Sequence, residues 1–160
     1  MNSMLWNFIT IFGDFRFWLG VCIASLLIYF TLPKRSKKHV TWTVFLLLPS
    51  IFLSYGTAYI LKILFKLPRP CVGLLNCPKT YSFPSGHTTV IFTVATTFAL
   101  YYKDRKYSLF MFVLASLVAV SRIMLNVHYP LDVIAGAVLG SIVGFVVFYV
   151  YMSTSYKLIR

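Results

Sequence analysis

Acid is what this sequence has least of. Three aspartates, Asp14, Asp104 and Asp132, stand against fifteen lysines and arginines, and glutamate is absent. A site holding two metal ions needs several carboxylates or extra histidines, which this chain does not gather. Any stabilisation of negative charge must therefore come from Lys and Arg. Charge of either sign is also scarce, at 11% of 160 residues, where a soluble domain carries about 25%. With 59% hydrophobic and 18% aromatic residues, the chain has more apolar surface than a soluble domain of this size can hide. A water-soluble globule is excluded, and lipid must solvate much of the surface. The three cysteines cannot all pair with one another. Cys22, inside an apolar run, reads as a small core residue. Cys71 and Cys77, six apart, leave open a disulfide or two free thiols.

What is present is a series of long apolar runs. A spanning helix needs about 20 mostly apolar residues, and segments 15–32, 40–61, 108–125 and 131–152 qualify. Segment 88–102 is shorter and rich in threonine, which predicts a fifth span that begins deeper, at the Ser85-Gly86 turn. Segment 4–12 has an apolar stripe too short to cross, which predicts an interfacial helix, with a re-entrant helix as the alternative. The start has no basic n-region and no small-residue cleavage site, so a removable signal peptide is not expected. No repeat or flexible linker divides residues 1–160. The expected fold is all-α: one integral-membrane domain of about five transmembrane helices plus a short N-terminal interfacial helix.

A net charge of +12 raises the possibility of nucleic acid, but its distribution argues against that partner. Nine of the fifteen basic residues fall in three clusters at the ends of apolar runs: Lys34, Arg35, Lys37 and Lys38; Lys103, Arg105 and Lys106; Lys157 and Arg160. Such clusters mark the cytoplasmic side and suit anionic headgroups. Five spans with all three clusters inside put the N-terminus outside, the C-terminus inside, and connections 62–87 and 122–131 on the extracytoplasmic side of a multi-pass cell-membrane protein.

Ionisable groups at membrane depth cost roughly 2.5–3.5 kcal/mol each, which makes them functional candidates. They fall in three places. In 62–70, Lys62, Lys66 and Arg69 recur at spacings of four and three and would share one helical face. Cations that converge there repel one another unless an anion lies between them. Snorkelling at a helix end is the bland alternative. Pro84-Ser85-Gly86-His87 precedes an apolar run, and a Ser-Gly turn feeding a helix presents free N–H groups and a positive dipole end, a phosphate-binding arrangement. In isolation that tetrapeptide reads as no more than an N-cap beside an interfacial histidine.

The third place is Ser121-Arg122, then His128, then Asp132 after Pro130. An acid four residues after a histidine can accept its Nδ1 proton, fix the tautomer and leave Nε2 as a nucleophile. Pro130 suits a first helical turn, which sets Asp132 near a helix N-terminus. Asp132, Gly136, Gly140 and Gly144 then repeat every four residues, a small-residue stripe that should face the bundle interior. Zinc bound by the histidines with Cys71 and Cys77 matches no common ligand spacing, so no metal or other cofactor is expected.

These residues resemble the three-part signature of the type-2 phosphatidic acid phosphatase superfamily: Lys, six residues, Arg-Pro; Pro-Ser-Gly-His; Ser-Arg, five residues, His, three residues, Asp. Here the parts are Lys62 with Arg69-Pro70, Pro84 to His87, and Ser121-Arg122 with His128 and Asp132. All eleven specified positions match, in order. The resemblance implies a metal-independent phosphatase in which Lys62, Arg69 and Arg122 clamp phosphate, completed by Ser85 and the Gly86 amide. His128, oriented by Asp132, becomes a phosphohistidine, and His87 protonates the leaving oxygen and then helps activate water. Lys66 lies outside the signature. Membrane members usually place two spans before the first motif, whereas here one span and the 4–12 segment precede it. The flank this leaves would be covered by lipid or by a second copy in a homo-oligomer.

Few residues lie outside the membrane to recognise a headgroup, 70–84 being the sizeable loop. This favours a lipid substrate held by its tail. By family analogy that substrate is a polyprenyl diphosphate, of undecaprenyl or dolichyl type, cleaved to the monophosphate carrier. Phosphatidic acid and phosphatidylglycerol phosphate are the alternative substrates. A non-catalytic lipid-phosphate binding or lipid-moving protein is a second class of function, and a related transferase or vanadate-dependent oxidase a third.

Overall fold

The structure, a computed structural model, describes residues 3–31, 40, 43–75 and 77–157. The basic cluster at 34–38 and Arg160 lie outside the described residues. Within them the chain forms six α-helices and no strands: α1 (Ser3–Thr10), α2 (Phe15–Tyr29), α3 (Leu48–Phe65), α4 (Gly86–Tyr102), α5 (Arg105–Met124) and α6 (Pro130–Lys157). A 3₁₀ turn, Ile11–Gly13, follows α1, and a π-helical turn, Thr43–Leu47, leads into α3.

The scarce acids set two of the starts. Asp14 caps α2 by accepting from the Arg16 amide at 2.8 Å. Asp104 caps α5 by accepting from the amides of Lys106 and Tyr107 at 2.8 and 3.1 Å. Each satisfies N–H groups that a first helical turn leaves unpaired. Pro130 opens α6, as its fixed φ favours.

Helix α3 stops at Phe65, with Lys66 in the left-handed region at φ 50°. The expected shared helical face of Lys62, Lys66 and Arg69 does not form. Pro68 and Pro70 supply no amide and disfavour the α conformation of the residues before them, so Arg69 reaches the interior from a loop while Lys66 is exposed.

Segments Val44–Phe65, Arg105–Met124 and Pro130–Thr154 are long and apolar enough to cross a bilayer, with mean hydropathies of 1.8, 1.8 and 2.4. The pair Ser3–Gly13 and Phe15–Tyr29, bent by 54°, meets the same test as one broken segment. Helix α1 packs against α5 and has no buried residues of its own. Large apolar side chains such as Leu27, Phe52, Ile134, Val138 and Phe145 are exposed around the outside, a surface that is stable in lipid and not in water.

The 17-residue α4 is the central helix, packed on α3, α5 and α6. Its Val90, Ile91 and Val94 form the core with Leu46, Ile51, Ala115 and Val118. Its opposite face carries the threonines expected to lie deep: Thr88, Thr89, Thr93 and Thr97 are fully buried. The glycine stripe of α6 meets that face. A Cβ built at Gly136 would stand 2.8 Å from the Ser85 carbonyl oxygen, one at Gly144 2.8 Å from that of Thr93, and one at Gly140 would collide with that of Thr89. Backbone thus lies against backbone, and Thr93 Oγ1 donates to the Gly140 carbonyl at 3.0 Å. The predicted stripe faces the interior, and its contact holds the N-termini of α4 and α6 side by side.

Candidate active site

Four helix ends meet at one pole of the bundle. Helices α4 and α6 begin there with their positive dipole ends. Helices α3 and α5 end there, carrying Lys62 and Arg122 in their last turns, where a cation offsets the negative dipole end. Loops 66–85 and 125–129 close the pole. A cavity of about 370 Å³ opens among them, lined by Lys62, Arg69, Gly86, His87, Arg122 and His128 together with Gly13, Asp14, Tyr55 and Tyr59. Both histidines therefore face one chamber, although 41 residues separate them in sequence.

His128 is 3% exposed. Arg69 Nη1 lies 3.0 Å from its Nε2. A guanidinium has only donors to offer, so Nε2 must present its lone pair and Nδ1 must carry the hydrogen. That hydrogen points to Asp132 Oδ2, 3.4 Å from Nδ1, with Ser82 Oγ also at 3.4 Å. Asp132 is fixed in turn by a short hydrogen bond from Ser82 Oγ and by the Tyr129 amide at 2.9 Å. The carboxylate thus orients the ring, and His128 lines the cavity with an Nε2 that carries a lone pair. Burial, reinforced by the positive charge of Arg69, Lys62 and Arg122, pushes the His128 pKa down to about 4 despite the opposing hydrogen bond from Asp132, so the ring is neutral at physiological pH.

The cations divide their work. Lys62 donates to the carbonyl oxygens of Tyr81, Ser82 and Pro84 at 2.8, 2.9 and 2.6 Å. That engages all three hydrogens of its ammonium and ties α3 to the loop preceding α4. Arg69 donates through Nε and Nη2 to the carbonyl and hydroxyl of Thr80, at 2.7 and 2.9 Å, and through Nη1 to the Val127 carbonyl at 2.9 Å. It thereby joins the two loops. Arg122 Nη1 donates to Thr10 Oγ1 at 2.6 Å, while its buried Nε has no acceptor among the described residues. An unpaired buried guanidinium donor is costly and suits a site that receives an anion.

Of the sequence-predicted residues, Lys62, Arg69, Gly86, His87, Arg122 and His128 line the cavity, and Asp132 stands directly behind His128. Ser85 does not line it. Its hydroxyl is buried and accepts from Thr88 at 3.0 Å, and its amide donates to the Asp132 carbonyl at 2.9 Å, so in this structure Ser85 joins α4 to α6. Cys71 and Cys77 form a disulfide in the loop after α3. Among the described residues no three His, Cys, Asp or Glu side chains converge as metal ligands would.

Sequence reading missed four residues. Ser82 and Thr80 hold the machinery from behind, and nothing in their spacing marks them. Thr10 and Asp14 arrive from the N-terminal segment, Asp14 Oδ2 lying 4.0 Å from His87 Nε2. The rarity of acids was the available signal for Asp14.

The family model for the PAP2 superfamily matches residues 43–155. The chain belongs to the PAP2 superfamily. Among other PAP2-related proteins, it is 35% identical to an undecaprenyl-diphosphatase of Sulfolobus acidocaldarius over 86% of this chain and 65% of the relative. It is 34% identical to a decaprenylphosphoryl-5-phosphoribose phosphatase of Mycobacterium tuberculosis over 81% and 70%. The chain thus spans about two thirds of the length of these relatives, and 47% of a putative undecaprenyl-diphosphatase, YbjG, of Escherichia coli. In structure it is similar to the PAP2-type phosphatidylglycerolphosphate phosphatase of Bacillus subtilis. That match has a TM-score of 0.80 at 25% identity and covers 94% of this chain and 77% of the other. LpxE of Aquifex aeolicus aligns with a TM-score of 0.69 at 29% identity, over 92% and 85%. With its apolar helices, this membership makes the chain an integral membrane protein.

Proposed function

We propose that this PAP2 protein is a lipid-phosphate phosphatase whose substrate is a polyprenyl diphosphate, hydrolysed to the monophosphate through a phosphohistidine without a metal ion. The observation that carries the reading is His128, whose Nδ1 is turned to Asp132 and whose Nε2 faces a cation-lined cavity shared with His87.

In the first step the Nε2 lone pair of His128 attacks the terminal phosphorus as the bond to the bridging oxygen breaks. His87 gives that oxygen a proton, and the lipid monophosphate leaves. In the second step water attacks the phosphorus while His87 takes its proton. The phosphorus–nitrogen bond breaks, inorganic phosphate departs and His128 returns to its neutral form. Arg122 Nε and the Gly86 amide at the start of α4 meet the equatorial oxygens. Arg69 turns from Nε2 to the phosphate as the substrate enters.

The polyprenyl headgroup is favoured by the relatives whose names point to undecaprenyl and decaprenyl lipids. The likeness to a phosphatidylglycerolphosphate phosphatase supports that glycerolipid as the second candidate. Helix α4 rises roughly 1.5 Å per residue, so the turn with Lys103, Arg105 and Lys106 sits about 25 Å from the site, at the other pole. With the positive-inside rule, this separation supports a site on the extracytoplasmic face.

The test is phosphate release by the purified protein in excess EDTA from undecaprenyl diphosphate, phosphatidic acid and phosphatidylglycerol phosphate. Release fastest from the diphosphate, abolished by His128→Ala in a folded protein, supports the reading. Turnover that stops with EDTA and returns with magnesium or zinc overturns the metal-free mechanism, and binding without release favours a lipid-binding protein. Vanadate should inhibit; peroxidase activity on adding it would indicate an oxidase.

A further inference from the structure

The N-terminal helix pair brings one of the chain's three acids into the chamber. Between α1 and α2 the backbone turns by 54° at Gly13 and Asp14. The elbow is pressed into the site: a Cβ at Gly13 would stand 2.7 Å from Val118 Cγ1 and 2.9 Å from His87 Cβ. The hydrogen bond from Arg122 to Thr10 ties the same segment to the last turn of α5, the helix that also carries Val118. Asp14 lines the cavity. Its Oδ1 accepts from the Arg16 amide at 2.8 Å, and its Oδ2 lies 4.0 Å from His87 Nε2.

Among the described residues, the charged and titratable groups that share the chamber with His87 are Lys62 from α3, Arg122 from α5, Asp14 and Arg16 from the elbow and the start of α2, and His128 and Arg69 from the loops; Arg16 Nε also lies 3.4 Å from Asp14 Oδ1. Asp14 alone of these is negative. In a chamber this rich in cations, a histidine that must carry a proton to the leaving oxygen needs a counter-charge. Catalytic hydrogen bonds are often long before substrate binds and tighten afterwards.

We propose that Asp14 is a positioning residue for His87, forming with it a second carboxylate–imidazole pair opposite that of Asp132 and His128. The carboxylate orients the ring and favours its protonated form. It takes no proton itself: with Nε2 turned to Asp14, the hydrogen on the other ring nitrogen of His87 passes to the leaving oxygen in the first step and is regained from water in the second. This inference rests on the phosphatase reading above.

Asp14→Asn tests it, because asparagine caps a helix as well as aspartate does and removes only the charge. An opposite charge at this range typically shifts a partner's pKa by one to three units. In Asp14→Asn the alkaline limb of the pH dependence of kcat/KM should therefore move to lower pH by about one unit or more, with activity at neutral pH reduced about tenfold. Asp14→Glu should restore the limb. In a His87→Ala background the same substitution should cause no further loss, since the two side chains would act as one unit.

Turnover by the native protein with an unmoved limb in a folded Asp14→Asn overturns the assignment. So does a further tenfold loss on the His87→Ala background, a comparison that also decides the matter if Asp14→Asn folds less well. Absence of turnover by the native protein from every lipid phosphate tried sinks the phosphatase reading and this inference with it.

Discussion

Lys62 reaches from the last turn of α3 to the carbonyl oxygen of Pro84, 2.6 Å away, and so fastens the peptide that introduces Ser85, Gly86 and His87. Its other two hydrogens go to the carbonyls of Tyr81 and Ser82. A residue that resemblance casts as a phosphate ligand is also the strut of the loop it serves.

The strut role predicts that Lys62→Met costs more than phosphate affinity. Three carbonyls lose their donor, and the two buried ones, of Ser82 and Pro84, are each left unsatisfied at about 1–3 kcal/mol. The variant should unfold at a lower temperature in detergent, cut more readily by protease in 70–84, and lose at least 100-fold in kcat/KM. A variant with native thermal and proteolytic stability would return Lys62 to a pure phosphate ligand.

His128 predicts an unusual acid limb. With its pKa near 4, below that of free histidine because of burial and neighbouring cations, the ring proposed as nucleophile stays unprotonated until the pH falls well below 6.5. The acid limb of kcat/KM should lie near pH 4 to 5. The same shift has a sign for stability: the folded form binds the proton less well than the unfolded form. The contribution of this group is complete above about pH 6.5 and is lost as pH falls toward 4. An acid limb at 6.5 in pH-rate measurements would contradict the buried environment.

Gly140→Ala should separate helices α4 and α6. The added methyl meets the Thr89 carbonyl, a backbone atom that cannot swing aside, and overpacking of this kind typically costs about 1–3 kcal/mol. Thermal unfolding in detergent should fall accordingly, with lost activity tracking lost fold, whereas Gly20→Ala, which meets nothing within 4 Å, should be neutral.

The disulfide sets a thiol count. Denatured, unreduced protein should label at Cys22 and not at Cys71 or Cys77, and reduction should expose both. Reduction of the native protein should raise KM more than it lowers kcat, because the bridge restrains a loop beside the cavity. Labelling of all three before reduction would show the bridge absent.

The convergence of the candidate groups was legible because they sit on short rigid pieces whose spacing survives folding: His128 and Asp132 around Pro130, and Gly86 and His87 at a helix start. The glycine stripe was legible for the same reason, as helical periodicity alone fixes its face. Arg69 was misplaced because helical spacing was carried past Phe65 into a stretch that Pro68 and Pro70 forbid. Asp14, Thr10, Thr80 and Ser82 reach the site through tertiary contacts across up to 112 positions, and local pattern holds no record of those. Ser85 was recognised as part of the motif, but its burial against Thr88 depends on how closely α6 approaches.

The Gly136–Gly144 contact also decides where a long substrate can enter. Helices that touch backbone to backbone leave no crevice through which a hydrocarbon chain could slide, so the flank formed by α4 and α6 is sealed toward the bilayer. For a substrate of the proposed kind, the flank beside Phe15, Tyr55 and Tyr59, whose aromatic rings border the same chamber, is the expected threshold for the tail.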